Sequence, residues 1–481
     1  MYKYLIWAEG DGFLSNYSFY CKKDEIRKII KDKASNIHFV GVGGVGIYSL
    51  FVLTKNMGLT TSGSDRELSR FTEGLICEGE KISIGHSEEN AYGKTLVVYT
   101  SAVSSDNPEI KFAEKNGILT ASRAEYLGAI MENYQMRIGV SGTHGKSTVT
   151  AMLSCIFESA GKDPTTLLGA VIPKTDSPIK LGGDSYFIYE ACEYKDAFLH
   201  FSPTAALYTN LEFDHMDYFR DIDALESSFL KSMMGARICI VNTDDCRLRS
   251  LLPSVKGEVV GYGEAQDSQY RAEIIEENKG FYSFWVHFLG KRVARINLRI
   301  PGKFNVLNAL GAFATAHRLG IPADVISQSL SSFSGIERRM ERIGSYGRLQ
   351  LYYDYAHHPT EIECTLKTLR EITEGRVYVI FKPHTYSRTE GLFSEFVNAL
   401  SLADGVYLCE ISAIREKAIE GVSSEKLASL IGERARRADD EEIKPMIDES
   451  GIAGENGALV IMGAANMDFL KTQFLGKINK K

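Results

Sequence analysis

No apolar run in this chain approaches the ~20 residues that span a bilayer, so membrane insertion is not expected. No basic block is present either. With 55 basic and 62 acidic residues the net charge is −7, which argues against nucleic acid as the main partner. Eight cysteines are scattered without any Cys-x-x-Cys. That pattern suits free thiols in a reducing compartment better than disulfides or zinc. The first residues, Met-Tyr-Lys-Tyr-Leu-Ile-Trp-Ala-Glu, meet an acid too soon for a signal peptide. Internal repeats and low-complexity tracts are absent. The expected setting is the cytoplasm.

What is there is ordinary globular composition, 44% hydrophobic and 24% charged, enough to fill several cores. Length alone suggests about three domains. Strand-like runs occur at 36–42, 95–100, 186–190, 205–209, 237–241, 349–353, 376–381, 405–409 and 458–462. Helical patterns alternate with them, including 47–53, 305–319, 359–373 and 389–401. This alternation predicts α/β domains with mostly parallel sheets. Boundaries fall near 134 and 334, and the Lys-rich stretch from Cys21 to Lys33 has helical character.

The most informative stretch is Gly139-Val-Ser-Gly-Thr-His-Gly-Lys-Ser-Thr148, between an apolar strand and a helix. Glycines let backbone N–H groups close on phosphate oxygens, and the helix start adds its positive end. Lys146 would reach the outer phosphates and Ser147 would sit on Mg²⁺. The match to the usual phosphate loop is a variant, with Val140 where a glycine is expected and Gly139 and Gly142 nearby.

A second loop, Gly41-Val-Gly-Gly-Val-Gly46, also follows a strand, with Asp65 further on. Alone it suggests a dinucleotide with the acid on a ribose hydroxyl, but the same geometry holds any diphosphate, including that of a UDP-sugar. Two more strands end in acids: Tyr189-Glu-Ala-Cys-Glu193, and Tyr208-Thr-Asn-Leu-Glu-Phe-Asp-His-Met-Asp217. Carboxylates there suit Mg²⁺ beside ATP. In Pro301-Gly-Lys-Phe-Asn305, Asn305 suits a helix cap, with Asn308 a turn further in. The last third carries Asp354-Tyr-Ala-His-His-Pro-Thr-Glu361 and Lys382-Pro-His-Thr-Tyr-Ser-Arg-Thr389. Zinc on these histidines is disfavoured, because adjacent His residues on a strand do not readily face one metal.

Taken in order, with Ile-Arg-Glu-Lys at 414–417, these motifs resemble the Mur ligase family over roughly residues 36–470. The resemblance implies α/β architecture in three domains after an extension, 1–35. These are a Rossmann-like UDP-sugar domain (36–134), a P-loop ATPase-like central domain (135–334) and a Rossmann-like amino-acid domain (335–481). It implies ATP-dependent joining of L-alanine to the carboxylate of UDP-N-acetylmuramate through an acyl phosphate, in cell-wall precursor synthesis.

By resemblance, ATP is held by Gly142, Thr143, His144, Gly145, Lys146, Ser147, Thr148, Asn305, Asn308, Arg339 and Asp354. Mg²⁺ is held by Ser147, Glu190 and His215. The UDP-sugar falls to Gly43, Gly44, Val45, Gly46, Ser64, Asp65, His86, Ser101 and Arg123, with His144 facing the sugar acid. His357, His384 and Arg388 form the alanine pocket, with Arg388 on its carboxylate. Lys146, His215, His357 and Arg388 carry the chemistry.

The partners implied are small molecules, in a monomer or homodimer. Departures from the family pattern are the extension, Lys382, and Gly463-Ala-Ala-Asn466. Several members use a carbamylated lysine after the Asp-His-Met-Asp motif; Lys231 is nearby, but its spacing does not suit that role. Alternatives are a ligase of the same family that recycles a preformed tripeptide, a nicotinamide-dependent oxidoreductase using 41–46, and a nucleotide-gated binding protein.

Overall fold

The computed structural model describes residues 12–172, 176–413 and 416–475. Ile414 and Arg415 of the last motif lie outside them. The first sheet comprises β1 (Asn36–Val40), β2 (Thr60–Asp65), β3 (Ile82–Ile84), β4 (Leu96–Tyr99) and β5 (Leu119–Ser122). All pair in parallel, in the order β3-β2-β1-β4-β5. Successive connections diverge between β1 and β4, which leaves a crevice at the carboxyl ends of the strands. Four of the five residues of β1 are buried, as a central parallel strand covered on both faces requires.

The second sheet holds β6 (Met136–Ser141), β7 (Thr165–Ile172), β8 (Ser177–Lys180), β9 (Tyr186–Glu190), β10 (Ala205–Tyr208), β11 (Ile238–Asn242), β12 (Glu258–Gly263), β13 (Tyr270–Asn278), β14 (Phe281–Phe288) and β15 (Lys291–Asn297). β6 lies between β10 and β9. Ser141 pairs with Tyr208, and Val140 with Glu190. This register sets Thr209–Asn210 on one side of the phosphate loop and Glu190–Glu193 on the other.

The third sheet holds β16 (Glu341–Tyr346), β17 (Leu349–Asp354), β18 (Arg376–Phe381), β19 (Gly405–Leu408), β20 (Ala435–Arg437) and β21 (Gly457–Met462), in the order β16-β17-β21-β18-β19-β20. Separate clusters of buried apolar residues cover its faces. One cluster joins the first sheet to the second, from Phe39 and Phe51 through Tyr126 to Phe187 and Tyr208.

The sheets are mostly parallel, as expected, with antiparallel pairs at the edges. β13, β14 and β15 form an antiparallel meander, and β7–β8 and β16–β17 are antiparallel. The meander alternates, with Tyr282, Phe284 and Val286 buried on β14. Its turns, Lys279-Gly280 and Leu289-Gly290, have positive φ at both residues, the geometry that matches strand twist in a two-residue hairpin.

The helix expected over 389–401 is two, Tyr386–Gly391 and Phe393–Leu400, interrupted at Leu392 with φ −120° and ψ 28°. A Cβ on Gly391 would lie 2.3 Å from Met216 Sδ, so the central domain approaches closely just before the break. The helical character of the extension is realised as Gly12–Lys31. That helix lies on the helix Arg123–Ile130 through Lys22–Glu125 (2.7 Å), and on the turn Met131–Asn133 after it through Arg27–Glu132 (3.0 Å).

Candidate active site

The phosphate loop leaves β6 at Ser141 and enters the helix Lys146–Ser159. Two glycines are obligatory there. Gly142 has φ +131°, and a Cβ would lie 2.0 Å from Thr209 Oγ1. Gly145, with φ +83°, would bring a Cβ 2.6 Å from Asn308 Oδ1. Val140, where a glycine is usual, sits fully buried within the strand and needs no such freedom.

Residues just past the end of β10 shape the loop. Thr209 Oγ1 donates to the His144 carbonyl at 2.6 Å, and the His144 amide donates to Asn210 Oδ1 at 2.8 Å. The Thr143 amide donates to the Asn210 carbonyl, and the Glu212 amide donates to Thr143 Oγ1.

Lys146 donates to both oxygens of Glu193 at 3.1 Å and to the carbonyls of Gly142 and Thr143. Burial disfavours its charge, but Glu193 outweighs this and holds the ammonium protonated well above its ordinary range. The Glu193 side chain is 2% exposed. Beyond it, His215 Nε2 lies 3.7 Å from Glu193 Oε1 and 4.0 Å from Asp214 Oδ2.

Asp214 then meets Arg388 from the third-sheet domain, at 2.8 Å from Nε and 3.1 Å from Nη2. Arg388 Nη1 also approaches His384 Nδ1 at 3.2 Å and its carbonyl at 3.1 Å. Burial, with His357 and Arg388 nearby, pushes His384 down to about 3, so its imidazole is neutral and accepts from the guanidinium. The His357 and His384 rings are 6.0 Å apart. The expected alanine group is therefore brought together, but Arg388 is not free: its fork is occupied by Asp214.

The three expected metal ligands lie in the neighbourhood of Lys146. Ser147 is buried beside it, the charge of Glu190 reaches it, and His215 meets its counter-ion. Burial lowers His215 and favours the neutral ring. Lys231 is exposed, on the helix Ile222–Gly235. Lys382 is ion-paired with Asp440.

His144 meets carboxylates from two domains. Its Nε2 lies 3.1 Å from Glu212 Oε2 and its Nδ1 3.1 Å from Glu361 Oε1. Burial would lower it, but the two carboxylates raise it to about 9. Thr360 Oγ1 donates to Glu212 at 2.7 Å, and His357 Nδ1 lies 3.2 Å from Glu361. His144, Glu212 and His358 also place ligand-type atoms within 4.8 Å of one another.

This junction opens onto a cleft of about 200 Å³ whose lining includes His144, Gly145, Thr148, Asn305, Asn308 and Arg339. Tyr262, Phe304 and Met340 supply apolar wall, and Asp354 closes the far side. The cap role expected of Asn305 is not found. Lys303 holds the N-cap position, and Asn305 Nδ2 donates to the Pro301 carbonyl at 2.7 Å. Asn308 Nδ2 then donates to Asn305 Oδ1. Burial lifts Asp354 to about 6, although its oxygens accept from the amides of Met340 and Ala356. Arg339 lies over the Tyr355 ring at 4.9 Å.

In the first-sheet crevice, Gly44 is the N-cap of the helix Val45–Asn56. The Gly43 amide donates to Asp65 Oδ2 at 2.7 Å. Asp65 thus braces the loop with one of its oxygens. A Cβ on Gly46 would lie 2.4 Å from Arg123 Nε, so Arg123 lies over the loop. Ser64 Oγ and His86 Nδ1 are 3.3 Å apart. Ser101 is exposed in the turn after β4.

Several of these partners escape a reading of the sequence. Glu193, Glu212 and Glu361 stand inside the motifs, but nothing local separates them from neighbouring acids. Thr209 and Asn210 act on the phosphate loop only through strand register.

Residues 36–135 match the Mur ligase family catalytic domain, 140–316 the Mur ligase middle domain, and 338–465 the Mur ligase glutamate ligase domain. A UDP-N-acetylmuramate–L-alanine ligase of Caldicellulosiruptor bescii is 40% identical over 393 residues, 81% of this chain and 86% of that one. The structure of a UDP-N-acetylmuramate–alanine ligase from Thermotoga maritima has TM-score 0.78 and 27% identity, covering 92% of this chain and 98% of that chain. A murein peptide ligase from Psychrobacter arcticus has TM-score 0.72 and 25% identity, covering 93% and 100%. With its three domains matched in order, the chain belongs to the Mur ligase family.

Proposed function

We propose that this chain is an ATP-dependent ligase that joins L-alanine to the carboxylate of UDP-N-acetylmuramate. The observation that carries this reading is the continuous path Lys146–Glu193–His215–Asp214–Arg388. It joins the phosphate loop to the His384–Arg388 group of another domain, so acid activation and amine delivery meet in one buried junction. The relative's name supplies the substrates.

A carboxylate is inert to amines. Its oxygen attacks the γ-phosphorus of ATP, ADP leaves, and an acyl phosphate results. The alanine nitrogen then attacks the acyl carbon. A tetrahedral intermediate forms, phosphate departs, and the amine loses its proton. Such phosphoryl transfer depends on position and charge neutralisation. Lys146 exchanges Glu193 for the outer phosphates.

Ser147, Glu190 and His215 offer a hydroxyl, a carboxylate and a neutral imidazole, a small donor set that suits Mg²⁺ with phosphate and water completing its shell. When bound, Mg²⁺ neutralises phosphate charge. Adenine lies against Asn305 and Asn308, and Arg339 and Asp354 complete the nucleotide site. Gly43, Gly44, Val45, Gly46, Ser64, Asp65, His86, Ser101 and Arg123 take the UDP-sugar. His357 and His384 flank the alanine. Its carboxylate reaches the Nη1 edge of Arg388 by displacing the His384 imidazole. We take the domains to divide near 134 and 334, and the cytoplasm to be the site of action.

Phosphate release from ATP, Mg²⁺ and UDP-N-acetylmuramate tests this reading. Release that depends on L-alanine supports it. The similarity to the Psychrobacter arcticus murein peptide ligase makes a tripeptide the informative alternative. Release with tripeptide and none with alanine moves the assignment to that reading.

A further inference from the structure

Glu109 is 0% exposed, in the first turn of the helix Pro108–Lys115, yet it is a carboxylate. Its partners form an ordered set. Asn90 Nδ2 donates to Oε1 at 2.6 Å. Ser64 Oγ donates to Oε2 at 2.7 Å, and His86 Nδ1 lies 3.3 Å from the same oxygen. His38 Nε2 faces it at 3.7 Å.

The neighbours fix the proton positions. Lys94 Nζ donates to Ser62 Oγ at 2.8 Å, and Ser62 Oγ is 2.9 Å from His38 Nδ1. This arrangement suits a Ser62 hydroxyl that donates to His38 Nδ1, which leaves Nε2 as the ring nitrogen facing Glu109. Burial pushes the Glu109 carboxyl up. The nearby His38 ring, with hydrogen bonds from Asn90 and Ser64, outweighs this and holds it down at about 2. The carboxylate is buried, with no lysine or arginine among these partners. Buried charge is costly unless every partner is in place.

Two of the partners stand on the ligand rim. Ser64 is on β2 near its carboxyl end, and its carbonyl accepts from Gly41 and Val42 of the glycine loop. His86 lies just past β3, and its side chain is 20% exposed. With Nδ1–H directed at Glu109, the other nitrogen of His86 is the one available to a ligand.

We propose that Glu109 is a positioning residue for the UDP-sugar site, a buried carboxylate that fixes Ser64 and the tautomer and aim of His86 toward the diphosphate-bearing substrate. This rests on the proposed function. Glu109 touches no ligand and acts only through these two side chains.

The test measures KM and kcat for all three substrates in Glu109→Gln, His86→Ala and the double variant, with thermal unfolding alongside. Each single variant raises KM for UDP-N-acetylmuramate by about tenfold, while kcat and the ATP and alanine KM values stay within about twofold. The double variant loses less than the product of the two single losses, because Glu109 acts in part through His86. Unchanged KM in a folded Glu109→Gln protein overturns the proposal, as do losses that multiply. Should Glu109→Gln fail to fold, Ser64→Ala and His86→Ala decide. The proposal expects their effects to couple, and independent effects overturn it. If the unaltered protein does not bind UDP-N-acetylmuramate at all, the functional reading itself fails and this inference with it.

Discussion

The two glycine loops are the same local device in different company. Each follows a buried parallel strand and opens a helix, at 41–46 and 139–148. The first is braced from its own domain, by Asp65 on the Gly43 amide and Ser69 on the Gly43 carbonyl. The second is braced by the strand beside it and clamped from another domain through His144 and Glu361. Only the second carries a lysine, with Glu193 as buried counter-ion. The backbone unit provides an anion cradle in both cases. What separates binding from chemistry is the set of side chains that neighbouring strands and domains bring to it.

Lys146→Ala should produce the largest separation between the loops. Ligation falls by about 10³-fold or more, while UDP-N-acetylmuramate binding by calorimetry holds. Adding Glu193→Gln relieves the stranded carboxylate, so stability recovers and activity does not. Recovered activity would remove Lys146 from the chemistry.

Gly142→Ala comes next. Its φ of +131° and the approach to Thr209 should destabilise the protein by about 2 kcal/mol or more, read by urea unfolding.

His144 gives a pH signature that the first loop lacks. Its value is raised from 6.5 to about 9. The stability it contributes is fully present below pH 6.5 and is lost as pH rises through about 9. The amount is on the order of 3 kcal/mol. The stability gap between the parent and His144→Asn should shrink across that window, and a gap that widens contradicts the assignment.

Gly43→Ala should act more gently. A Cβ there lies 2.9 Å from Asp65 Oδ2, and a roughly tenfold rise in KM for the UDP-sugar, about 1.4 kcal/mol, is expected with the ATP KM unchanged. Asp65→Asn should be smallest, about two- to fivefold on the same KM, since one neutral hydrogen bond can replace the charged one.

Local pattern makes much of this legible. Strand, glycine and helix at 36–56 and 136–159 are contiguous, so chain order alone encodes them. Tyr186–Glu190 and Arg376–Phe381 are found as strands with the expected limits. Asn305 suits a cap by its type, but the turn places Lys303 there. The meander at 270–297 escapes a reading by pattern, although its inward Tyr282, Phe284 and Val286 alternate, because polar residues and two short hairpin turns break it into pieces. The remaining misses are partnerships across distance. Arg388 with Asp214 and His144 with Glu361 each join two domains. No local spacing reveals which acid a given base will meet once domains dock.

The central claim is that the muramyl carboxylate is activated as an acyl phosphate beside Lys146. The most direct test uses UDP-N-acetylmuramate carrying ¹⁸O in that carboxylate, with ATP, Mg²⁺ and L-alanine, and mass analysis of the phosphate released. Transfer of one ¹⁸O atom into each phosphate is predicted, because the carboxylate oxygen that attacks phosphorus leaves with it. Product formation with unlabelled phosphate would contradict the account.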